Sequence, residues 1–216
     1  IMNTITPITS ISESILKYYK SENGLLNLEE FDEDHIKNTV RGLEVIKEQG
    51  GDLMQFVQSY RSFLNLPPPD KALIPAKKMI DKVKVLLEQE NHNGRITIET
   101  IIDPEEMELY IDEKQISQVL INLGKNAAQS LGKQENGRIK ITTATGTKGK
   151  KYIEVWDNGP GIPPELIDEI FVPFFTTKNS GTGIGLSLSR QIMHLHGGNL
   201  KVHSVQSEYT SFELSF

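Results

Sequence analysis

The sequence predicts an α+β protein in two parts, an antiparallel helical hairpin over residues 1–66 and an α/β sandwich over residues 67–216. Three observations predict it. Apolar residues recur at steps of three and four from Ile1 to Leu64, the periodicity of one helical face. The run "NLPPPD" (65–70) then stops any helix, because proline has no N–H and clashes with the preceding turn. Past it, short strand-like stretches such as "RITIETII" and "RIKITTATG" are interleaved with helical patterns.

The first helix is expected over residues 1–20, where Ile1, Ile5, Ile8, Ile11, Ile15 and Tyr19 share a face; Pro7 is expected to kink it. "SENGLLNLEEFDED" (21–34) reads as an acidic loop opened by Asn23-Gly24. A second helix is expected over 32–65, capped by Asp32 or Asp34. Its Ile36, Val40, Leu43, Ile46, Gly50, Leu53, Val57, Tyr60 and Leu64 follow a near-heptad step and form a narrow apolar seam. Two helices alone are too thin to bury that seam. A homodimeric four-helix bundle completes it and is the favoured packing; the rest of the same chain is the other cover.

Beyond the prolines, a helix is expected over 75–89, then strands at "RITIETII" and "ELYID", then a helix over 113–131. Strands follow at "RIKITTATG" and "KYIEVWD", a helix over 183–196, and closing strands at "NLKVHSVQ" and "SFELSF". The expected arrangement is one sheet with helices on one face.

Bulk properties narrow the function. A hydrophobic fraction of 37% and a charged fraction of 24% suit a soluble globular chain. No apolar run approaches the roughly 20 residues of a membrane span, so no direct membrane contact is expected of this stretch, whatever anchor a longer parent carries. With no cysteine, disulfides and thiolate zinc sites are excluded, which fits a cytoplasmic location. The net charge of −6 argues against nucleic acid as a partner but leaves a small anion such as a nucleotide open.

Three stretches carry chemistry. In "QVLINLGKNAAQSL" (118–131), Asn122 and Asn126 lie one helical turn apart on one face. An amide oxygen is a hard neutral ligand suited to Mg²⁺; two solvent-facing amides are the plainer reading. In "VWDNGPGIP" (155–163), Asp157 ends an apolar strand ahead of Gly159 and Gly161. A carboxylate there can accept from the exocyclic amine of adenine, while the glycines admit the ring without a side-chain clash. Loss of such a charge-assisted hydrogen bond costs about 1.5–3 kcal/mol. Asp-Asn-Gly-Pro-Gly is also strong turn chemistry in its own right.

In "FVPFFTTKNSGTGIGLSLSR" (171–190), Gly181, Gly183 and Gly185 open a helix, a geometry that offers free N–H groups to phosphate. Neither a Rossmann fingerprint nor a P-loop fits, because no strand directly precedes the glycines and no Lys-Ser/Thr follows them. Phe171, Phe174 and Phe175 read either as a flap with apolar anchors or as core.

Taken in this order, the three stretches resemble the N box, first glycine box, F box and second glycine box of sensor histidine kinases, over about 70–216. The overall pattern is nearest to the nitrogen-regulation type. The resemblance implies a Bergerat-type ATP-binding fold. It implies Asn126 as the Mg²⁺ ligand and Asn122 as a catalytic and ATP-binding residue one turn earlier. ATP-hydrolysing relatives carry a Glu at the place of Asn122, and Asn cannot act as a base, which favours transfer over hydrolysis. Asp157 would bind adenine. Gly159, Gly161, Ile162, Thr177, Lys178, Gly181, Thr182, Gly183, Gly185, Leu186 and Thr210 would complete the ATP site. Two departures stand out: Gln129 replaces a basic residue common in the family, and Tyr209 replaces a glycine in the last strand.

"IMNTITPI" resembles the tail of the family's H box, with Asn3 and Pro7 in register. That match places the phosphoacceptor histidine two residues before Ile1 and gives Asn3 a role in orienting water for a phosphatase reaction. Of the histidines present, His35 reads as a surface residue at a helix start, and His194 and His196 as a helix end rather than a metal pair. The resemblance implies ATP and Mg²⁺ as cofactors, a homodimer, and phosphoryl transfer from ATP to histidine and on to an aspartate of a response regulator. The rival readings are a nucleotide-binding dimerisation fragment without kinase activity and another Bergerat-fold ATPase.

Overall fold

The structure, a computed structural model, describes residues 2–19, 33–90, 95–132, 134–178 and 182–216. The acidic loop's residues 21–32, Gly181 and the side chain of Asn3 lie outside the described residues. The chain divides into two compact units, Ile1–Leu64 and Asn65–Phe216.

The first unit holds α1 (Met2–Tyr19) and α2 (Glu33–Leu64). α1 runs through Pro7 as one helix; the proline removes a single backbone donor near the start, where the ladder is thinnest. The helices are antiparallel. The Tyr19 hydroxyl meets the Thr39 hydroxyl at 2.9 Å. A Cβ at Gly42 would lie 2.8 Å from Ile15 Cδ1, so glycine sets the close approach there. The stripe of α2 that turns toward α1 includes Thr39, Gly42, Ile46 and Leu53, one step round from most of the apolar seam. Ile36, Val40, Leu43 and Leu64 are therefore left exposed, with Leu43 at 54%.

The second unit begins with β1 (Ala72–Pro75) and α3 (Ala76–Glu90), followed by β2 (Ile96–Ile101), β3 (Glu108–Ile111) and α4 (Glu113–Leu131). Then come β4 (Gly137–Thr145), β5 (Lys151–Asp157), α5 (Gly185–Leu195), β6 (Asn199–Val205) and β7 (Tyr209–Ser215). The main sheet has the order β2-β4-β5-β7-β6, with β2 parallel to β4 and the other pairs antiparallel. The expectation of one sheet is corrected: β3 leaves it and pairs antiparallel with β1 in a separate two-stranded sheet. β1 is four residues long and ends in proline, too short to show any periodicity.

Alternate residues are buried from Gly137 to Thr143 in β4 and from Ile153 to Asp157 in β5, including Ile139, Ile141, Ile153 and Val155. Met79 and Ile80 of α3, Ile116, Leu120 and Leu123 of α4, and Ile192 and Met193 of α5 fill the core with them. Each such side chain contributes about 1.5–3 kcal/mol by leaving water. α4 is anchored at its start by Asp112, whose Oδ1 accepts from the Lys114 and Gln115 N–H groups at 3.0 and 3.1 Å. This packing aligns α4 beside the end of β5, where the candidate site lies.

Candidate functional site

Asp157 is the last residue of β5, in register with Ile139 on β4 and Thr210 on β7. Strand alternation points it to the helix side, where it is only 4% exposed. Its Oδ1 accepts the Gly159 N–H at 2.9 Å. The Ser130 hydroxyl of α4 lies 3.4 Å from the same oxygen, but its one proton serves the Ala127 carbonyl at 2.8 Å. Among the described residues no donor reaches Oδ2. Burial pushes the carboxyl up to about 6; the Gly159 N–H, Ser130 and the Lys178 charge pull the other way and only partly offset it. A buried acid with one oxygen left over is suited to accept from a ligand's N–H.

The turn after Asp157 is set by close contacts. A Cβ at Gly159 would fall 2.5 Å from Asp157 Oδ1. Gly161 has φ +69°, and a Cβ there would meet the Val205 carbonyl oxygen at 2.2 Å. The turn is tied to the β6–β7 connection: Ser207 N–H donates to the Pro160 carbonyl at 2.7 Å, and Ile162 N–H to Ser204 Oγ at 2.8 Å. Ser204 in turn meets Thr210 Oγ1 at 3.2 Å. Asn158 clips the turn to β4, its Oδ1 accepting Arg138 N–H at 2.6 Å and its Nδ2 donating to the Asn136 carbonyl at 2.9 Å.

Across from this turn, α4 presents Asn122, Asn126 and Gln129. Asn122 Nδ2 donates to Ser189 Oγ on α5 at 3.0 Å. Its Oδ1 sits so near Gly185 that a Cβ there would be 2.3 Å away. Lys178 donates from Nζ to Asn126 Oδ1 at 3.1 Å and to Gln129 Oε1 at 2.6 Å. Lys178 is an exposed residue, yet its ammonium turns onto α4; desolvation lowers its pKa while the Asp157 charge raises it. An ammonium resting on Asn126 Oδ1 shows that this oxygen faces a place a cation can occupy. The oxygen therefore fits Mg²⁺, as one protein ligand beside phosphate and water.

The aromatic run divides. Phe171 is buried, edge-on to Phe212 at 6.4 Å and with Arg190 over its face at 3.9 Å. Phe174 is exposed and adopts φ +72°, its N–H donating to the Gly183 carbonyl at 2.9 Å. Gly183 itself has φ +66° and leaves no room for a Cβ, which would lie 2.4 Å from the Phe174 backbone.

The structure thus gathers Asp157, Gly159, Gly161, Ile162 and Thr210 at one end of the sheet. Asn122, Asn126, Lys178 and Gly185 gather on α4 and the start of α5. Thr177, Thr182, Gly183 and Leu186 lie along the segment and helix joining these groups. Asn3 falls in α1, in the other unit. Sequence reasoning missed Ser130, Asn158 and Ser189, whose partners lie 20 to 67 residues away. It also missed what Tyr209 does. Its ring stacks on Trp156 at 6.5 Å, one strand position from Thr210 and on the opposite side of the sheet from Asp157.

Residues 111–216 match the family described as histidine kinase-, DNA gyrase B- and HSP90-like ATPase. The chain is 40% identical over 136 residues to the sensory histidine kinase/phosphatase NtrB of Vibrio alginolyticus, covering 59% of this chain and 39% of that protein. The chain thus spans well under half the length of that relative. The solved catalytic domain of histidine kinase ThkA is 37% identical, with a TM-score of 0.61, over 68% of this chain and 95% of that one. ThkA solved in complex with the response regulator protein TrrA is 28% identical, with a TM-score of 0.72, over all of this chain and 58% of that one. Among the described residues no helix is long and apolar enough to cross a membrane. In its motifs, its fold and its relatives alike, the chain belongs to the sensor histidine kinases, near the nitrogen-regulation type.

Proposed function

We propose that the second unit binds ATP with Mg²⁺ and that the chain serves as the catalytic core of a protein-histidine kinase. The observation that carries this reading is Asp157, a buried carboxyl at a strand end with one oxygen left to accept from the adenine amine. Gly159 and Gly161 bring backbone to the ring edge, and Thr210 with Ser204 closes the floor. Asn126 is the metal ligand. Bound Mg²⁺ would neutralise phosphate charge and orient the terminal phosphoryl group. Lys178 supplies a second positive charge on the same side, and the start of α5 at Gly185 supplies N–H groups.

Asn122 is held by Ser189 and its amide is not a base, so this residue does not activate water. That favours a side-chain nucleophile. The acceptor imidazole belongs to the H box whose tail is Asn3 to Pro7. Its nitrogen forms a P–N bond as the bond from the γ-phosphorus to the bridging oxygen of ADP breaks. The carboxylate of a response-regulator aspartate then takes the phosphoryl group, releasing the imidazole. ThkA's solved complex with a response regulator supports such a partner here. The exposed seam of α2 supports a homodimer through the hairpin, and the bifunctional relative NtrB supports a phosphatase role for Asn3.

Asp157→Ala and Asn126→Ala are each expected to weaken Mg·ATP binding, Asp157→Ala by about 10- to 100-fold, in titration with a fluorescent ATP analogue. Unchanged affinity in both variants would sink the site assignment.

A further inference from the structure

We infer that Gln129 is a positioning residue for Lys178, holding that ammonium on α4 as the binding charge for the nucleotide's terminal phosphates. The inference rests on the nucleotide reading above and names a residue within it. Lys178 reaches back 52 and 49 residues to donate to Asn126 Oδ1 and Gln129 Oε1, at 3.1 and 2.6 Å. The two acceptors are three apart on one face of α4. Both are neutral. Among the described residues no carboxylate lies within ion-pair distance of Lys178, and the nearest influence of that kind is the charge of Asp157 acting from farther off. An ammonium held on two neutral dipoles has no paired carboxylate to cancel it and stays available to an anion.

The two acceptors do not have the same task. Asn126 Oδ1 is the oxygen assigned to Mg²⁺, and an ammonium and a metal ion cannot share it. Once the metal takes Asn126, Gln129 is the anchor that remains for Lys178. The residue type fits this use. A Glu at position 129 would pair with Lys178 and cancel its charge. A Lys or Arg would push it away. A Gln holds it without either effect.

The test is equilibrium binding of Mg·ATP and of AMP to the full chain, by displacement of a fluorescent ATP analogue. The variants are Gln129→Ala, Gln129→Glu, Lys178→Met and the double Gln129→Ala/Lys178→Met. Lys178→Met is expected to weaken ATP about 10-fold and Gln129→Ala about 3- to 10-fold, with AMP unchanged in each. Gln129→Glu is expected to weaken ATP more than Gln129→Ala does. The double variant is expected to match Lys178→Met, because Gln129 acts through the lysine. Gln129 is exposed, so folding is expected to be kept, and an unchanged thermal midpoint checks that. ATP affinity unchanged in Gln129→Ala, multiplied losses in the double variant, or equal losses for AMP would overturn the inference while leaving Asp157 in place. A wild-type chain that bound no ATP would overturn the nucleotide reading itself.

Discussion

Asp157 works against the stability of the fold that holds it. Its carboxyl titrates near 3.8 when unfolded and at about 6 in the native chain, because burial disfavours the anion. The native state thus binds the proton more tightly. The stabilisation is fully present below pH 3.8 and is lost as pH rises through about 6. At neutral pH the ionised form costs about 2–3 kcal/mol. Asp157→Asn is therefore expected to raise stability at pH 7.5, measured by urea unfolding without nucleotide, and to leave it nearly unchanged at pH 4. Equal effects at both pH values would show that the carboxyl is not desolvated. The same titration bears on the ligand: ATP affinity is expected to fall as the pH drops below about 6, as the acceptor loses its charge. Asp157 was legible in the sequence because a strand-end acid before Gly-Pro-Gly is a local pattern. The Ser130 and Asn158 contacts were not, because α4 and β4 meet the turn only in the folded sheet.

At the scale of elements, α4 is the part that organises the site. It carries the core residues Ile116, Leu120 and Leu123 on one side and Asn122, Asn126 and Gln129 on another. The helix was legible, with its expected range 113–131 matching Glu113–Leu131, because its apolar period is regular. Likewise β5 was legible as an apolar run closed by a turn. The pairing of β1 with β3 was not, since pairing partners are a tertiary choice that four residues cannot encode visibly.

The tie from α4 to α5 runs through Asn122 Nδ2 and Ser189 Oγ, the latter in a residue 2% exposed. Ser189→Ala would leave that amide without its acceptor. It is expected to cost about 1–3 kcal/mol in urea unfolding and to loosen ATP binding; a neutral effect on both would show that the tie is unimportant. At the far end of α5, His196 bridges elements: Nδ1 donates to the Ile192 carbonyl at 2.8 Å and Nε2 accepts Asp112 N–H at 3.1 Å. Sequence reasoning saw only a helix end there. Burial lowers the pKa of this ring, so its contribution is present above pH 6.5 and lost as pH falls through the native value.

At the scale of the whole molecule, the hairpin and the nucleotide unit have different unmet needs. The hairpin leaves Val40, Leu43, Val57 and Leu64 exposed along α2. Apolar side chains exposed in groups near both ends of one helix are rarely left in water. The seam was legible from its near-heptad step, but the stripe that meets α1 was not. That choice depends on the close approach at Gly42, which periodicity does not reveal. Sedimentation is expected to give a dimer, and Val40→Glu with Leu43→Glu to give a monomer that still binds ATP. A wild-type monomer would mean that something other than a second copy covers the seam.

The proposed core moves a phosphoryl group to a side chain rather than releasing it to water. The most direct measurement is incubation with γ-labelled ATP and Mg²⁺ in the presence of an H-box hairpin that carries its histidine. Label is expected on the hairpin, acid-labile and alkali-stable, and lost when Asp157 or Asn126 is replaced by Ala. Steady release of inorganic phosphate with no label on protein would contradict it.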